Sequence, residues 1–292
     1  MAKLTIGIVG QGFVGSAIRE GLTNYYEVLT YDIDQSKCNS THEEVCKNSD
    51  IIFVCIPTPM RKSGECDTRL LEGVVDKINK QCQGLGDDIM PILVLKSTIP
   101  PGTTTRIANN FSDHCPVVFS PEFLTEANSF DDFKNQTRII IGGDPEVKCL
   151  HANKVKSMFT KAFPSIPIVI TKRETAEMVK YFINCFLATK VSFANEMYQI
   201  CEGSNLDFSK VVEYALYDDR IGNSHLSVPG PDGSFGFGGH CFPKDINAVI
   251  FIAENAGVKP TVLNAVWEKN SEVRPSTERD WETMQGRAIS DD

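Results

Sequence analysis

Residues 4–15 read Leu-Thr-Ile-Gly-Ile-Val-Gly-Gln-Gly-Phe-Val-Gly, and residues 25–32 read Tyr-Tyr-Glu-Val-Leu-Thr-Tyr-Asp. Leu4–Val9 is a short apolar run of the kind that forms a strand buried on both faces. Gly10, Gly12 and Gly15 follow at once, and Ser16 to Leu22 continues as a helix. Gly10 permits a tight turn, Gly12 lets a pyrophosphate approach the backbone, and Gly15 lets the helix pack on the sheet. The second strand ends at Asp32, 22 residues after Gly10. An acid there bonds ribose hydroxyls and repels a 2′-phosphate, so the pattern predicts a dinucleotide site that favours NAD over NADP.

Working outward, further apolar runs predict strands at Asp50–Ile56, Met90–Leu95, Val117–Phe119, Arg138–Ile141 and Ile166–Ile170. Strands alternating with helical patterns predict an α/β fold, a Rossmann-type doubly wound parallel sheet. Ligands of such sheets sit beyond the carboxyl ends of the strands. Those ends carry Pro57-Thr58-Pro59, Lys96-Ser97-Thr98 and Ser120-Pro121-Glu122. Ordinary turns also use Ser, Thr and Pro, but three of them on the edge that the glycine loop faces favour a ligand site.

From Glu174 to Cys201 one long helix is expected, roughly 40 Å at 1.5 Å per residue. It is apolar around much of its circumference, which suggests packing against the first domain and against a partner subunit. Met178, Phe182, Phe186 and Phe193 are expected in the core. Lys180 and Asn184 are four apart and share a face. Such a lysine commonly snorkels from a packed helix; the same spacing would also let both side chains reach one ligand.

Residues 236–245 read Gly-Phe-Gly-Gly-His-Cys-Phe-Pro-Lys-Asp. Pro243 suits the first helical position, with Asp245–Asn255 as the helix body. Helix N-terminal amides and a neighbouring ammonium favour thiolate, so Cys241 reads as a nucleophile, although most cysteines are small buried apolar residues. The chain of 292 residues implies about two domains, and its net charge of −9 argues against nucleic-acid or anionic-membrane binding. No apolar run approaches the roughly 18 residues of a membrane span. The ten cysteines show no Cys-x-x-Cys pair and no zinc-like spacing with histidine. A reduced, cytoplasmic protein without disulfides or metal is expected.

With those residues quoted, the chain resembles the nucleotide-sugar dehydrogenases, the UDP-glucose 6-dehydrogenase and GDP-mannose dehydrogenase family, over about residues 3–270. The likeness rests on the glycine turn, Pro57–Pro59, Lys96–Pro100, Ser120–Glu126, Lys180-x-x-x-Asn184, Asp219–Gly222 and Gly236–Asp245. It implies an NAD-binding Rossmann domain (1–172), an all-helical central dimerisation domain with a long helix (173–274) and a polar tail (275–292). It also implies oxidation of a primary alcohol to a carboxylate with two NAD, through a thiohemiacetal and then a thioester on Cys241. By the same resemblance Lys180 stabilises the oxyanion with help from Asn184, Asp245 tunes Cys241, and Thr98 holds a water. Glu122 and Glu126 then serve hydrolysis and cofactor contacts. Further implied cofactor contacts are Gln11, Phe13, Val14, Lys37, Pro57, Thr58, Pro59, Ser97, Thr98 and Lys244. Substrate contacts fall to Glu122, Phe123, Leu124, Phe235, Gly236, Phe237, Gly238 and Cys241, with Arg220 reaching across a dimer.

Two features depart from the family pattern. Asp32 and Asp50 are only 18 apart, which trims a helical excursion, and the family's third, nucleotide-sugar domain has no counterpart. Either another chain supplies that surface, the substrate is a simpler one, or the sequence is a truncated piece of a longer chain. UDP-glucose is the first substrate expectation and GDP-mannose the second. A single-hydride β-hydroxyacid dehydrogenase and a non-catalytic NAD-binding dimer are the other readings.

Overall fold

A computed structural model describes residues 4–86, 90–110, 115–143 and 150–290; Cys149 lies outside the described residues. The chain forms two compact units, one of Met1–Thr58 with Thr68–Lys180, the other of Pro59–Asp67 with Tyr181–Asp292. The boundary falls inside the long helix, past the expected division at 172.

The first unit runs β1 (Thr5–Val9), α1 (Phe13–Leu22), β2 (Glu27–Tyr31), α2 (His42–Asn48), β3 (Ile51–Val54), α3 (Arg69–Cys82) and β4 (Ile92–Leu95). It continues with α4 (Thr103–Asn110), β5 (Val117–Phe119), α5 (Ser129–Lys134), β6 (Ile139–Gly143), α6 (Leu150–Ala162), β7 (Ile168–Lys172) and the start of α7 (Arg173–Gly203). The strands make one sheet in the order β2-β1-β3-β4-β5-β6-β7. Side chains alternate across it, as the two-residue period of a strand requires. Ile51 and Phe53 join a core with α1, α5 and α6, while Ile52 and Val54 join another with α2, α3 and α4. Helices therefore cover both faces, and the central strands read as continuous apolar runs.

The sheet is not wholly parallel, which corrects one expectation. β6 pairs antiparallel to β5 at Phe119 and Gly142, and β7 then runs parallel to β6. The connection before β6 holds only the six-residue helix α5, pinned by Phe133 in the core that it shares with α1. At 1.5 Å per residue that helix rises about 9 Å, too little to carry the chain back along the sheet for a parallel return. Between Asp32 and Asp50 the longest element is the seven-residue α2, started by a reciprocal cap between Thr41 and Glu44.

The second unit contains the rest of α7, α8 (Phe208–Ala215), α9 (Phe242–Asn255) and α10 (Thr261–Val273). Cys185, Ala188, Phe237, Ile246 and Val266 form its largest core cluster. On α7 the buried stripe runs through Tyr181, Cys185, Ala188, Ser192 and Asn195. Met178, Phe182, Phe186 and Phe193 lie about 100° round the helix from it and are 40%, 69%, 57% and 60% exposed, contrary to the expected core placement. The Phe182 and Phe186 rings stack with centroids 6.4 Å apart.

Beyond Pro275 the chain folds back instead of trailing as a polar tail. Trp281 is buried against Trp267, with ring centroids 5.8 Å apart. Farther on, the Met60 N–H donates to Ala288 O and the Ser290 N–H to Met60 O, both at 2.8 Å. Burying an indole outweighs the polarity of the residues around it. Among the described residues no helix is long and apolar enough to cross a membrane.

Candidate active site

In the first unit the glycine turn connects β1 to α1. Gly10 has φ +94°, a left-handed conformation that side chains resist, and a Cβ there would strike the Cys55 carbonyl. A Cβ on Gly15 would run into the Gly10 carbonyl, whereas one on Gly12 would meet nothing within 4 Å. The turn is thus closed on the sheet side and open where a pyrophosphate would lie, directly at the α1 N-terminus. Asp32, at the end of β2, accepts the Gln11 N–H at 2.5 Å and the Asp34 N–H at 2.9 Å. The acid and the glycine turn therefore sit side by side, and these residues fit a dinucleotide. Lys37 stands 3.6 Å from Asp34 on an exposed turn.

The turns after β3 and β4 are laced together. Ser97 Oγ donates to Ile56 O at 2.6 Å, and Thr58 Oγ1 donates to Thr98 O at 2.6 Å. Thr58, Ser97 and Thr98 are buried and Pro57 is exposed. After β5, Glu122 is buried and pairs with buried Lys180 at 2.8 Å. Burial would raise its pKa, but the Lys180 ammonium and the Leu124 N–H outweigh burial and hold the carboxyl below the ordinary glutamate range.

Lys96 is a site group that the sequence reading did not single out. Its ammonium is buried and donates to Pro121 O at 2.8 Å. Burial pushes its pKa down to about 8, with the like charge of Lys180 adding to the fall. The sequence marked the Lys96-Ser97-Thr98 turn as a whole, and nothing in it set the lysine apart from its neighbours as the buried group. Lys96, Glu122, Phe123 and Leu124 line a cleft of about 250 Å³ together with Val14 and Arg138. The Arg138 guanidinium lies over the Phe123 ring, 4.2 Å from its centroid. Glu126 is exposed.

In the second unit Cys241 is half-buried and occupies the N-cap position of α9, with Pro243 in its first turn. Asn184 Nδ2 donates to Asp245 Oδ2 at 2.6 Å, and the Lys244 ammonium pairs with the other oxygen, Oδ1. All three side chains are buried. Burial alone would lower the Lys244 pKa, but the Asp245 carboxylate and the Cys241 and Cys66 thiols outweigh it and raise it. A permanently charged ammonium near Cys241 favours its thiolate.

The turn before Cys241 is held by side chains that sequence reading missed. Asn195 Oδ1 accepts the Gly236 N–H at 3.0 Å, and Asn270 Oδ1 accepts the Phe237 N–H at 2.7 Å. Asn270 carried no sequence signal, since α10 is mixed in polarity and the burial of this one asparagine shows only in the fold. Phe237 is buried and Phe235 is 38% exposed. Arg220 is exposed and paired with Asp218.

The NAD binding domain of the UDP-glucose/GDP-mannose dehydrogenase family matches residues 39–162, and that family's central domain matches residues 174–272. NAD is accordingly the cofactor. The UDP-glucose 6-dehydrogenase TuaD of Bacillus subtilis is 35% identical over 306 residues, covering 92% of this chain and 63% of that protein. A UDP-glucose dehydrogenase structure from Pyrobaculum islandicum superposes with a TM-score of 0.80 at 27% identity, over 93% of this chain and 68% of that one. A Mycobacterium tuberculosis 3-hydroxyisobutyrate dehydrogenase shares the fold at 13% identity and a TM-score of 0.72, over 95% of this chain and 96% of that one. The chain spans under two thirds of the length of the curated relatives it matches, from 32% to 63% for the first three. Two successive domains of one family follow each other here in their family order, and the chain belongs to the UDP-glucose/GDP-mannose dehydrogenase family.

Proposed function

We propose that the chain oxidises the primary alcohol of a nucleotide sugar to a carboxylate, UDP-glucose to UDP-glucuronate first among the candidates and GDP-mannose second. The observation that supports this most is the buried Asn184–Asp245–Lys244 set, which ties α7 to the first turn of α9, the helix that Cys241 caps. NAD, when bound, accepts the hydride in each of the two oxidation steps, and Gly10, Gly12, Gly15 and Asp32 would hold it.

The remaining chemistry falls to side chains. Cys241 thiolate adds to the C6 aldehyde left by the first oxidation, forming a C–S bond and an alkoxide. Lys180 balances that oxyanion, a role suited to a buried ammonium. The second oxidation leaves a thioester on Cys241. Water then adds to the acyl carbon, the C–S bond breaks, and carboxylate and free thiol result. Thr98 and Asp245 would hold and deprotonate that water, with Glu122 as a further proton acceptor.

The test is an NAD reduction assay across UDP-glucose, GDP-mannose and related nucleotide sugars. Two NADH per product, lost in a Cys241 variant, are expected. One NADH per product would instead support the β-hydroxyacid reading.

Asp32→Ala should weaken NAD by about tenfold, the worth of one charge-assisted hydrogen-bonding partner, and narrow the preference over NADP. Calorimetric titration of both cofactors measures this, and equal affinity for both in the wild type would remove the ribose role.

Homodimerisation through α7 is part of the same proposal. The exposed stripe of Met178, Phe182, Phe186 and Phe193 is apolar surface of the kind that marks an interface, and a second copy of this chain would cover it with the same stripe. Phe186→Glu should convert the dimer to monomer in analytical ultracentrifugation. A wild-type monomer at micromolar concentration would end this part of the reading.

A further inference from the structure

The segment after Pro275 does more than cover the second unit. Asp280 accepts the Gly239 N–H with both carboxylate oxygens, at 3.1 Å and 3.0 Å, two residues before Cys241. Arg274 stands behind it as a hub. Its guanidinium is 4% exposed and reaches Asp232 at 2.7 Å, Glu278 O at 2.9 Å, Phe235 O at 3.4 Å and Asp280 at 3.6 Å. Trp281, next to Asp280, is buried and fixes the segment in place. The fit is close, since a Cβ on Gly238 would come within 2.5 Å of both Arg274 and Asp280 and would have to displace their head groups. Asn195 and Asn270 hold Gly236 and Phe237, and Asp280 holds the Gly239 amide, two residues before the cysteine.

We propose that Asp280 is a positioning residue for the nucleophile, setting the Gly239 peptide and through it the presentation of Cys241 at the start of α9. The proposal rests on Cys241 being that nucleophile. A peptide swung by an unanchored amide would misplace the thiol by a fraction of an ångström to an ångström, a displacement that costs turnover far more than it costs folding.

The experiment compares wild type, Asp280→Ala and Asp280→Asn in the full chain. Asparagine keeps an oxygen that can accept the Gly239 N–H; alanine does not. The Asp280 side chain is 41% exposed and Arg274 keeps Asp232, so the alanine variant should fold. Should it not, Asp280→Glu keeps the charge beside Arg274 while its extra methylene displaces the Gly239 contact. Hydrogen exchange of the peptide spanning Gly236–Phe242 should rise about tenfold in the alanine variant, with exchange of β3 unchanged. Its kcat with a nucleotide sugar should fall about tenfold or more with KM for NAD within about twofold, and asparagine should rescue both effects. Wild-type exchange in that peptide of the alanine variant, or an asparagine variant as impaired as alanine, overturns the proposal. Absence of Cys241-dependent NADH formation in the wild type is a separate failure, that of the proposed function. The exchange data and the iodoacetamide alkylation rate of Cys241 would then still decide whether Asp280 sets the loop.

Discussion

Cys241→Ser should abolish steady-state NADH formation, by at least about a thousandfold, the scale of losing a covalent nucleophile. Capture of an aldehyde depends on an ionised sulfur. A charged Lys244 beside Cys241 would favour that ionisation, but it would not bring a serine hydroxyl near thiolate reactivity at neutral pH. If the hydroxyl does react once, the resulting ester hydrolyses far more slowly than a thioester. The expected signature is then a burst no larger than the two hydrides of one turnover, followed by a stall, with the acyl group visible as added mass on the intact chain. Steady NADH production at the wild-type rate would remove Cys241 from the mechanism.

Lys180→Met should carry the largest stability effect, about 3–5 kcal/mol, the usual cost of removing one member of a buried ion pair. Glu122 would remain buried without the ammonium 2.8 Å away. Lys96 persists as a second cation near it, which puts the expected loss toward the lower end of that range. The sign of the pH dependence should also reverse. In the wild type the Glu122 pKa is lowered, so its contribution is present above the unfolded pKa and fades as pH falls. Without Lys180, burial governs and raises that pKa; stability is then best at low pH and is lost as pH rises through the raised value. Urea unfolding at several pH values measures both effects, and Lys180→Met with Glu122→Leu should recover most of the loss. A single variant that unfolds like the wild type would mean that the pair contributes nothing.

The parts legible in sequence were those fixed by local stereochemistry. Gly10, Gly12, Gly15 and Asp32 could be read in register because each answers a requirement of a neighbouring residue, and all seven strands announced themselves as apolar runs. The direction of β6 was not legible, because it depends on how far α5 reaches and on where Phe133 anchors. The exposure of Phe182, Phe186 and Phe193 was hidden for a related reason: a helix apolar on two sides does not say which side its own chain covers. Asp280 and Arg274 were missed because their partners lie in the Phe235–Gly239 stretch, some 40 residues away, and a tail rich in charge reads as solvated. Trp281 was the one residue in that tail that argued otherwise.

The short excursion Pro59–Asp67 has a consequence for how this chain can be made and cut. It is encoded between β3 and α3 of the first unit yet belongs to the second, where Met60 exchanges backbone hydrogen bonds with Ala288 and Ser290. The nucleotide-binding unit is therefore not a contiguous stretch of the gene. A fragment ending at the long helix would carry residues 59–67 with their pairing partners deleted. On the ribosome this loop must wait more than 200 residues for its closing segment, so the second unit can be completed only after Ser290 has been made, however early the sheet forms.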